Sequence, residues 1–203
     1  MKQQIIVVHG GTPFETYEDY LTYLKTQEVS LERLRPQKNW KDSLQENLGE
    51  GFDILAPRMP NGNNAKYSEW KIWFERIIPL FDENIIFIGH SLGGIFLAKY
   101  LSENIIPKKI RAVLLVAAPF TNENTGRSLA DFKLPPSLEK FTRQGGKIYL
   151  IQSKDDQEVP FEQFEMYKMA LPEAEAMIFE DRGHFLQESF PEVIKLLEIL
   201  KVE

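Results

Sequence analysis

Six short apolar runs recur along the chain, and longer stretches with helical character separate them. None of the runs alternates polar with apolar positions, as expected for strands that are covered on both faces of a sheet. The runs are Gln4–Val8, Phe52–Leu55, Ile85–Ile88, Ala112–Ala117, Lys147–Ile151 and Ala176–Phe179. This alternation predicts an α/β fold in which about six mostly parallel strands form one sheet with helices on both faces.

Two of the stretches between or after the strands have a clear helical pattern. The spacing i, i+3, i+4, i+7, i+8 and i+11 predicts one helix face made of Trp70, Trp73, Phe74, Ile77, Ile78 and Phe81. A last helix is predicted from about Ser189, whose hydroxyl would cap its first turn, and Pro191 suits that turn.

The chain of 203 residues is expected to form one domain, 1–203, because no linker or repeat divides it. Two connections, 12–50 and 119–146, are longer than the others and are candidates for small lids or inserts. The first is predicted to hold helices near Tyr17–Leu24 and Lys38–Leu48.

Composition excludes several classes of function. A net charge of -6 disfavours a nucleic-acid partner, because binding to phosphates requires clustered Lys and Arg. The absence of cysteine removes disulfides, thiolate metal sites and a Cys nucleophile. Met1 is followed almost directly by Ile5–Val8, without a signal-peptide pattern, and no apolar run reaches the roughly 20 residues that span a bilayer. These features predict a cytoplasmic protein with no membrane partner.

The third apolar run leads into a G-x-S-x-G motif. The motif extends from Gly89 to Gly93 with Ser91 at its centre, and a helical stretch follows. A sharp turn between strand and helix would lift the Ser91 hydroxyl above the sheet, and the flanking glycines would relieve crowding. Ser91 is therefore the candidate nucleophile of a serine hydrolase.

A serine hydroxyl needs a base, and the chain has three histidines. His9 ends the first strand, and His90, next to Ser91, is expected to point away from the hydroxyl and to have a structural role. His184, on a loop after the last strand, is left as the candidate base. Gly183 before it permits an unusual backbone conformation in that loop.

The base in turn needs a carboxylate that orients it. Asp155 and Asp156 both follow the fifth strand, and two adjacent side chains of an extended loop point in different directions. One of the two is expected to face His184, and Asp181, three residues before His184, is a weaker alternative. Each candidate follows the carboxyl end of a parallel strand, where the sites of open α/β sheets assemble.

Two further features belong to the expected site. Backbone N–H groups of Gly11 and Leu92 could bind the oxyanion, with Thr12 as the alternative to Gly11. Four aromatic residues on loops at the same edge of the sheet could line an apolar acyl pocket, with ordinary packing between loops as the alternative; they are Phe14, Tyr17, Phe120 and Phe185.

Together these segments resemble the α/β-hydrolase superfamily, in particular the small YdeN-like and retinoblastoma-binding-protein-like serine hydrolases. The likeness rests on the motifs H-G-G at His9, G-H-S-L-G-G around Ser91, D-x-x-V-P at Asp156 and G-H-F around His184. It implies a catalytic Ser91, Asp156 and His184, oxyanion donors at Gly11 and Leu92, and no metal or organic cofactor. The long connection 12–50 departs from the subgroup.

The resulting hypothesis is a carboxylesterase that acts on small acyl substrates through a Ser-His-Asp triad and an acyl-enzyme. An amidase or peptidase with the same triad is one alternative. A non-catalytic binding protein that retains the fold is another, because a fold alone does not guarantee activity. The presence of all triad elements in the order Ser, Asp, His argues against that second alternative.

Overall fold

One parallel sheet of six strands organises the protein. The computed structural model describes residues 2–122 and 128–201. The strands are β1 (Gln3–Val8), β2 (Phe52–Leu55), β3 (Ile85–His90), β4 (Ile110–Val116), β5 (Lys147–Ser153) and β6 (Glu175–Phe179). They lie in the order β2-β1-β3-β4-β5-β6, and every neighbouring pair is parallel. The predicted six-stranded α/β architecture is thereby confirmed.

Helices connect the strands and cover the sheet. They are α1 (Tyr17–Thr26), α2 (Leu31–Leu34), α3 (Leu44–Leu48), α4 (Tyr67–Ile77), α5 (Leu92–Glu103), α6 (Glu139–Gln144), α7 (Phe161–Ala170) and α8 (Pro191–Leu200). Helix α1 begins with a capping box between Thr16 and Asp19. Part of the connection 119–146, residues 123–127, lies outside the described residues.

The sheet separates two apolar cores. Alternate residues of β1 enter different cores: Ile6 and Val8 pack with α4, α5, α6 and α7, whereas Ile5 and Val7 pack with α3 and α8. Because side chains alternate across a strand, a strand that is apolar at every position must be covered on both faces. This explains the apolar runs of the inner strands β1, β3, β4 and β5. The expectation of cover on both faces is wrong for the edge strand β6, where Ile178 is 46% exposed.

Three local predictions are wrong in detail. Trp73 is 40% exposed, so the buried face of α4 is narrower than the spacing suggested. The helix predicted over 38–48 is confined to Leu44–Leu48, because the backbone N–H of Trp40 donates to Gln187 O (2.9 Å) in another loop. Ser189 does not cap α8; Phe190 precedes the helix and makes no side-chain cap hydrogen bond.

The strand order changes direction between β1 and β3, since β2 lies on one side of β1 and the rest of the sheet on the other. Crevices form at the carboxyl ends of the two strands at such a point. His9 follows β1 there and Ser91 follows β3. Among the described residues, no helix is both long and apolar enough to cross a membrane.

Candidate active site

Ser91 lies at a strained turn between β3 and α5. Its backbone has φ 54° and ψ −123°, a region that side-chain-bearing residues rarely adopt. Its N–H donates to Val116 O at 2.8 Å, which fixes the turn to β4. The strained backbone therefore presents Ser91 beyond the sheet edge at the beginning of a helix.

The glycines beside Ser91 are required by packing. A Cβ on Gly89 would overlap the backbone of Gly93 and Gly94, and a Cβ on Gly93 would overlap the carbonyl of Val8. The backbone of α5 thus approaches β1 and β3 too closely for any side chain. This close approach explains the spacing of the G-x-S-x-G motif.

We expect Gly93→Ala to destabilise the protein by about 2 kcal/mol or more, because the backbones of two elements would have to separate. Gly62→Ala is the matched control, since its Cβ would lie 3.4 Å from His9 Cε1, an ordinary contact. Urea unfolding of both variants measures the difference. Equal stability of the two would contradict the packing argument.

His184 is held by a buried carboxylate. Its Nδ1–H donates to Oδ2 of Asp156 at 2.8 Å, and the Asp156 side chain has no exposed surface. Oδ1 of the same carboxylate accepts the backbone N–H groups of Glu158 (2.8 Å) and Val159 (3.0 Å). With Nδ1 carrying the proton, Nε2 of a neutral His184 is free of hydrogen and can accept one.

Asp155 has a different position. It is exposed, and its Oδ1 accepts the Ser153 hydroxyl (2.6 Å) and the N–H of Gly183 (2.8 Å). These two hydrogen bonds lower the pKa of the Asp155 carboxyl. Ser153 Oγ also accepts the N–H of Arg182 at 2.9 Å. Asp155 and Ser153 therefore tether the loop just before His184. The carboxylate that binds Nδ1 of His184 is Asp156, and not the weaker alternative Asp181.

His90 connects Ser91 to the loop of residues 180–190 between β6 and α8, called the His184 loop below. Its ring is buried, 4.9 Å from the His184 ring between centroids, and its Nε2–H donates to the His184 carbonyl at 2.8 Å. His90 immediately precedes Ser91 in the chain, so these contacts place His184 in the neighbourhood of Ser91. The His90 side chain makes these contacts with the loop, in keeping with the structural role expected for it.

A cleft of about 420 Å³, including the part open to solvent, lies at Ser91. Six of the residues around it are Gly11, Pro13, Ser91, Leu92, Leu129 and Val159. Leu92 begins α5, and the first N–H groups of a helix have no acceptor within the helix. Thr12 N–H already donates to Gly62 O at 2.8 Å, which leaves Gly11 as the donor candidate on that side.

Comparisons with known proteins show the family to which this chain belongs. A family model described as serine hydrolase matches residues 33–198. The serine hydrolase RBBP9 of Rattus norvegicus is 30% identical over 150 residues, which are 73% of this chain and 77% of that protein. The chain belongs to the serine hydrolase family. It is an α/β-hydrolase of the YdeN and RBBP9 type.

Solved structures of other proteins have the same fold as this serine hydrolase. The ydeN gene product of B. subtilis has a TM-score of 0.78 at 21% identity, and the alignment covers 98% of each chain. A YdeN-like hydrolase from Pectobacterium atrosepticum has a TM-score of 0.65 at 17% identity, with 98% of this chain and 94% of the other covered.

The four aromatic residues expected in an acyl pocket are not brought together. Phe14 lines a second cleft that adjoins the first, and Tyr17 is 59% exposed. Phe120 packs against Tyr167 and borders a separate depression. Phe185 is fully buried, because its φ of 53° turns its side chain into the core beneath α8.

The four residues were expected in one pocket because their loops lie at the same edge of the sheet. A position at that edge does not determine where a side chain points. The cleft at Ser91 is instead bordered mostly by prolines and aliphatic residues, among them Pro13, Pro119, Leu129 and Val159, with Thr12, Ser128 and Glu158 as polar lining residues. Within the described ranges, no group of three or more His, Asp or Glu side chains could hold a metal ion.

Two residues near the site had no sequence signal of their own. Trp40 and Lys41 belong to the long connection 12–50, and both contact the His184 region. A tryptophan beside a lysine in a polar stretch predicts only a partly buried surface segment. Their positions depend on contacts that are more than 45 residues apart in sequence, which local patterns do not reveal.

Proposed function

We propose that this serine hydrolase cleaves small carboxylic esters, with Ser91 as nucleophile, His184 as general base and Asp156 as the carboxylate that orients the base. The observation that carries the proposal is the 2.8 Å hydrogen bond from His184 to the buried Asp156. The carbonyl of the same histidine is bound by His90, the residue next to Ser91.

In the first half-reaction the Ser91 hydroxyl oxygen attacks the ester carbonyl carbon while Nε2 of His184 takes the hydroxyl proton. The N–H groups of Gly11 and Leu92 stabilise the oxyanion, and Asp156 stabilises the charged imidazole. Collapse of the tetrahedral intermediate breaks the bond to the alcohol, which receives the proton from His184. An acyl-enzyme on Ser91 remains.

In the second half-reaction His184 takes a proton from water, and the resulting hydroxide equivalent attacks the acyl carbon. Collapse of this intermediate releases the carboxylic acid, and Ser91 recovers its proton from His184. Strain at Ser91 supports a catalytic role over pure binding, because a binding surface gains nothing from an unfavourable backbone at this serine.

The size and lining of the cleft favour short acyl chains. The space at Ser91 is small and largely apolar, and the adjoining second cleft offers room for the alcohol portion of an ester. We expect kcat/KM for p-nitrophenyl acetate and butyrate to exceed that for the octanoate by at least about tenfold. A preference for the octanoate would contradict this assignment of the acyl pocket.

Leu129→Ala sharpens the test, because Leu129 borders the cleft. We expect the variant to shift the preference toward longer acyl chains. Leu138→Ala is the matched control, since Leu138 is buried in the same core but borders a different depression. Anilides and peptides measured alongside the esters distinguish esterase from amidase or peptidase activity.

A further inference from the structure

Three carbonyls of the His184 loop are bound by groups from other parts of the chain. The His184 carbonyl accepts Nε2–H of His90 (2.8 Å), and the Phe185 carbonyl accepts Nε1–H of Trp40 (2.9 Å). The Gln187 carbonyl accepts the backbone N–H of Trp40 (2.9 Å). The segment around Trp40 thus holds the loop from the side of the sheet that faces α3 and α8.

The loop needs such external support because its backbone is unfavourable. Gly183 and Phe185, on either side of His184, have φ values of 51° and 53°. Left-handed conformations of a residue such as phenylalanine persist only where the surroundings impose them. The hydrogen bond from Trp40 to the carbonyl of that same phenylalanine supplies one such constraint.

Lys41 extends the support to His90. Its Nζ lies 3.4 Å from Nδ1 of His90, and it lies 5.1 Å from the centroid of the Trp40 ring. Because Nε2 of His90 must carry a hydrogen to donate to a carbonyl, Nδ1 of the neutral ring is an acceptor and Lys41 is its donor.

The charges in this group are consistent with that tautomer. Burial, with Lys41 and His184 nearby, holds the pKa of His90 well below its ordinary value, so the ring is neutral. Burial also lowers the pKa of Lys41 to about 8, which leaves the amine mostly protonated at pH 7. Lys41 therefore donates to Nδ1 of His90 and favours the proton on Nε2.

We propose that Trp40 and Lys41 are positioning residues that hold the His184 loop in the geometry needed for proton transfer, Trp40 directly and Lys41 through His90. The inference rests on the proposed role of His184 as the base. It assigns a function to a part of the long connection 12–50 that lies within the residues 33–198 matched by the serine hydrolase family model.

The main test is Trp40→Phe. This variant removes the Nε1–H donor but keeps the backbone N–H to Gln187 and a ring that can pack on Phe190. We expect kcat for p-nitrophenyl butyrate to fall by about 10- to 100-fold with little change in KM, because a displacement of about 1 Å of a catalytic group can cost 100-fold in rate.

The control is Phe141→Leu, which removes buried volume from the core on the other face of the sheet from Trp40 and Phe185. It destabilises the fold without touching the loop, so we expect its kcat to stay near the wild-type value. Proton NMR adds a readout that loss of stability alone does not change. The downfield resonance of the His184–Asp156 hydrogen bond should weaken or shift in Trp40→Phe and persist in Phe141→Leu.

Lys41→Met provides a second variant if Trp40→Phe does not fold. Methionine keeps an apolar stem over the Trp40 ring and removes the donor to His90. We expect a loss in kcat in the same direction and a change in the same resonance. Wild-type kcat and an unchanged resonance in both variants would overturn the positioning role.

Failure of the proposed function would give other results than failure of the positioning role. If wild-type protein hydrolyses no ester and takes up no fluorophosphonate, the base role of His184 is wrong. The NMR comparison of Trp40→Phe, Lys41→Met and Phe141→Leu would still report whether Trp40 and Lys41 position the His184 loop.

Discussion

Asp156→Asn is expected to lower kcat by about 10⁴-fold. The carboxylate accepts from His184 on one oxygen and from the backbone N–H groups of Glu158 and Val159 on the other. An amide can keep its oxygen toward the two backbone donors only by turning its NH₂ toward His184. Nδ1 of His184 would then become an acceptor and Nε2 would carry the proton, which prevents Nε2 from accepting the Ser91 proton.

Asp155→Asn is the matched control for this variant. Asparagine keeps an oxygen for the Ser153 hydroxyl and the Gly183 N–H, so we expect a loss of less than about tenfold. Asp155→Ala removes that tether and should lower kcat further than Asp155→Asn, yet far less than Asp156→Asn. Steady-state kinetics on p-nitrophenyl butyrate measures all three. A larger loss in Asp155→Asn than in Asp156→Asn would reassign the orienting carboxylate.

His184→Ala is expected to lower kcat by about 10⁴-fold or more, because the variant lacks the ring proposed to take the Ser91 proton. The His184 side chain is mostly buried, so its removal leaves a space beside Asp156 that free imidazole can enter. Added imidazole should restore part of the activity in proportion to its concentration.

The imidazole experiment needs a blank, because imidazole itself hydrolyses activated esters. His184→Ala in imidazole is therefore compared with Ser91→Ala in the same solution. Rescue confined to His184→Ala supports proton transfer by the ring. Wild-type activity in His184→Ala without imidazole would exclude His184 as the base.

The sheet was predictable because its signal is local. The inner strands are apolar at successive positions, and β1 illustrates the reason: Ile5 and Val7 enter one core while Ile6 and Val8 enter the other. The predicted ends of the strands were less accurate. β5 continues to the buried polar residues Gln152 and Ser153, whose side chains are satisfied by hydrogen bonds rather than by apolar contacts.

The site was predictable only as far as its motifs extend. Ser91, Asp156 and His184 each follow a strand, and the sheet order brings their loops to one edge. Phe185 shows where such reasoning stops. It follows His184 directly, yet its φ is positive and its side chain lies in the core. No spacing rule reveals that its carbonyl accepts a hydrogen bond from Trp40, which is 145 positions away in the sequence.

Covalent labelling shows whether Ser91 is an activated nucleophile. Wild-type protein and Ser91→Ala are treated with a fluorophosphonate and compared by intact mass, with Ser128→Ala as a control because Ser128 also borders the cleft. We expect one adduct per molecule in the wild type and in Ser128→Ala, and none in Ser91→Ala. An adduct that persists in Ser91→Ala, or a folded wild-type protein that takes up no label, would contradict the assignment of Ser91 as an activated nucleophile.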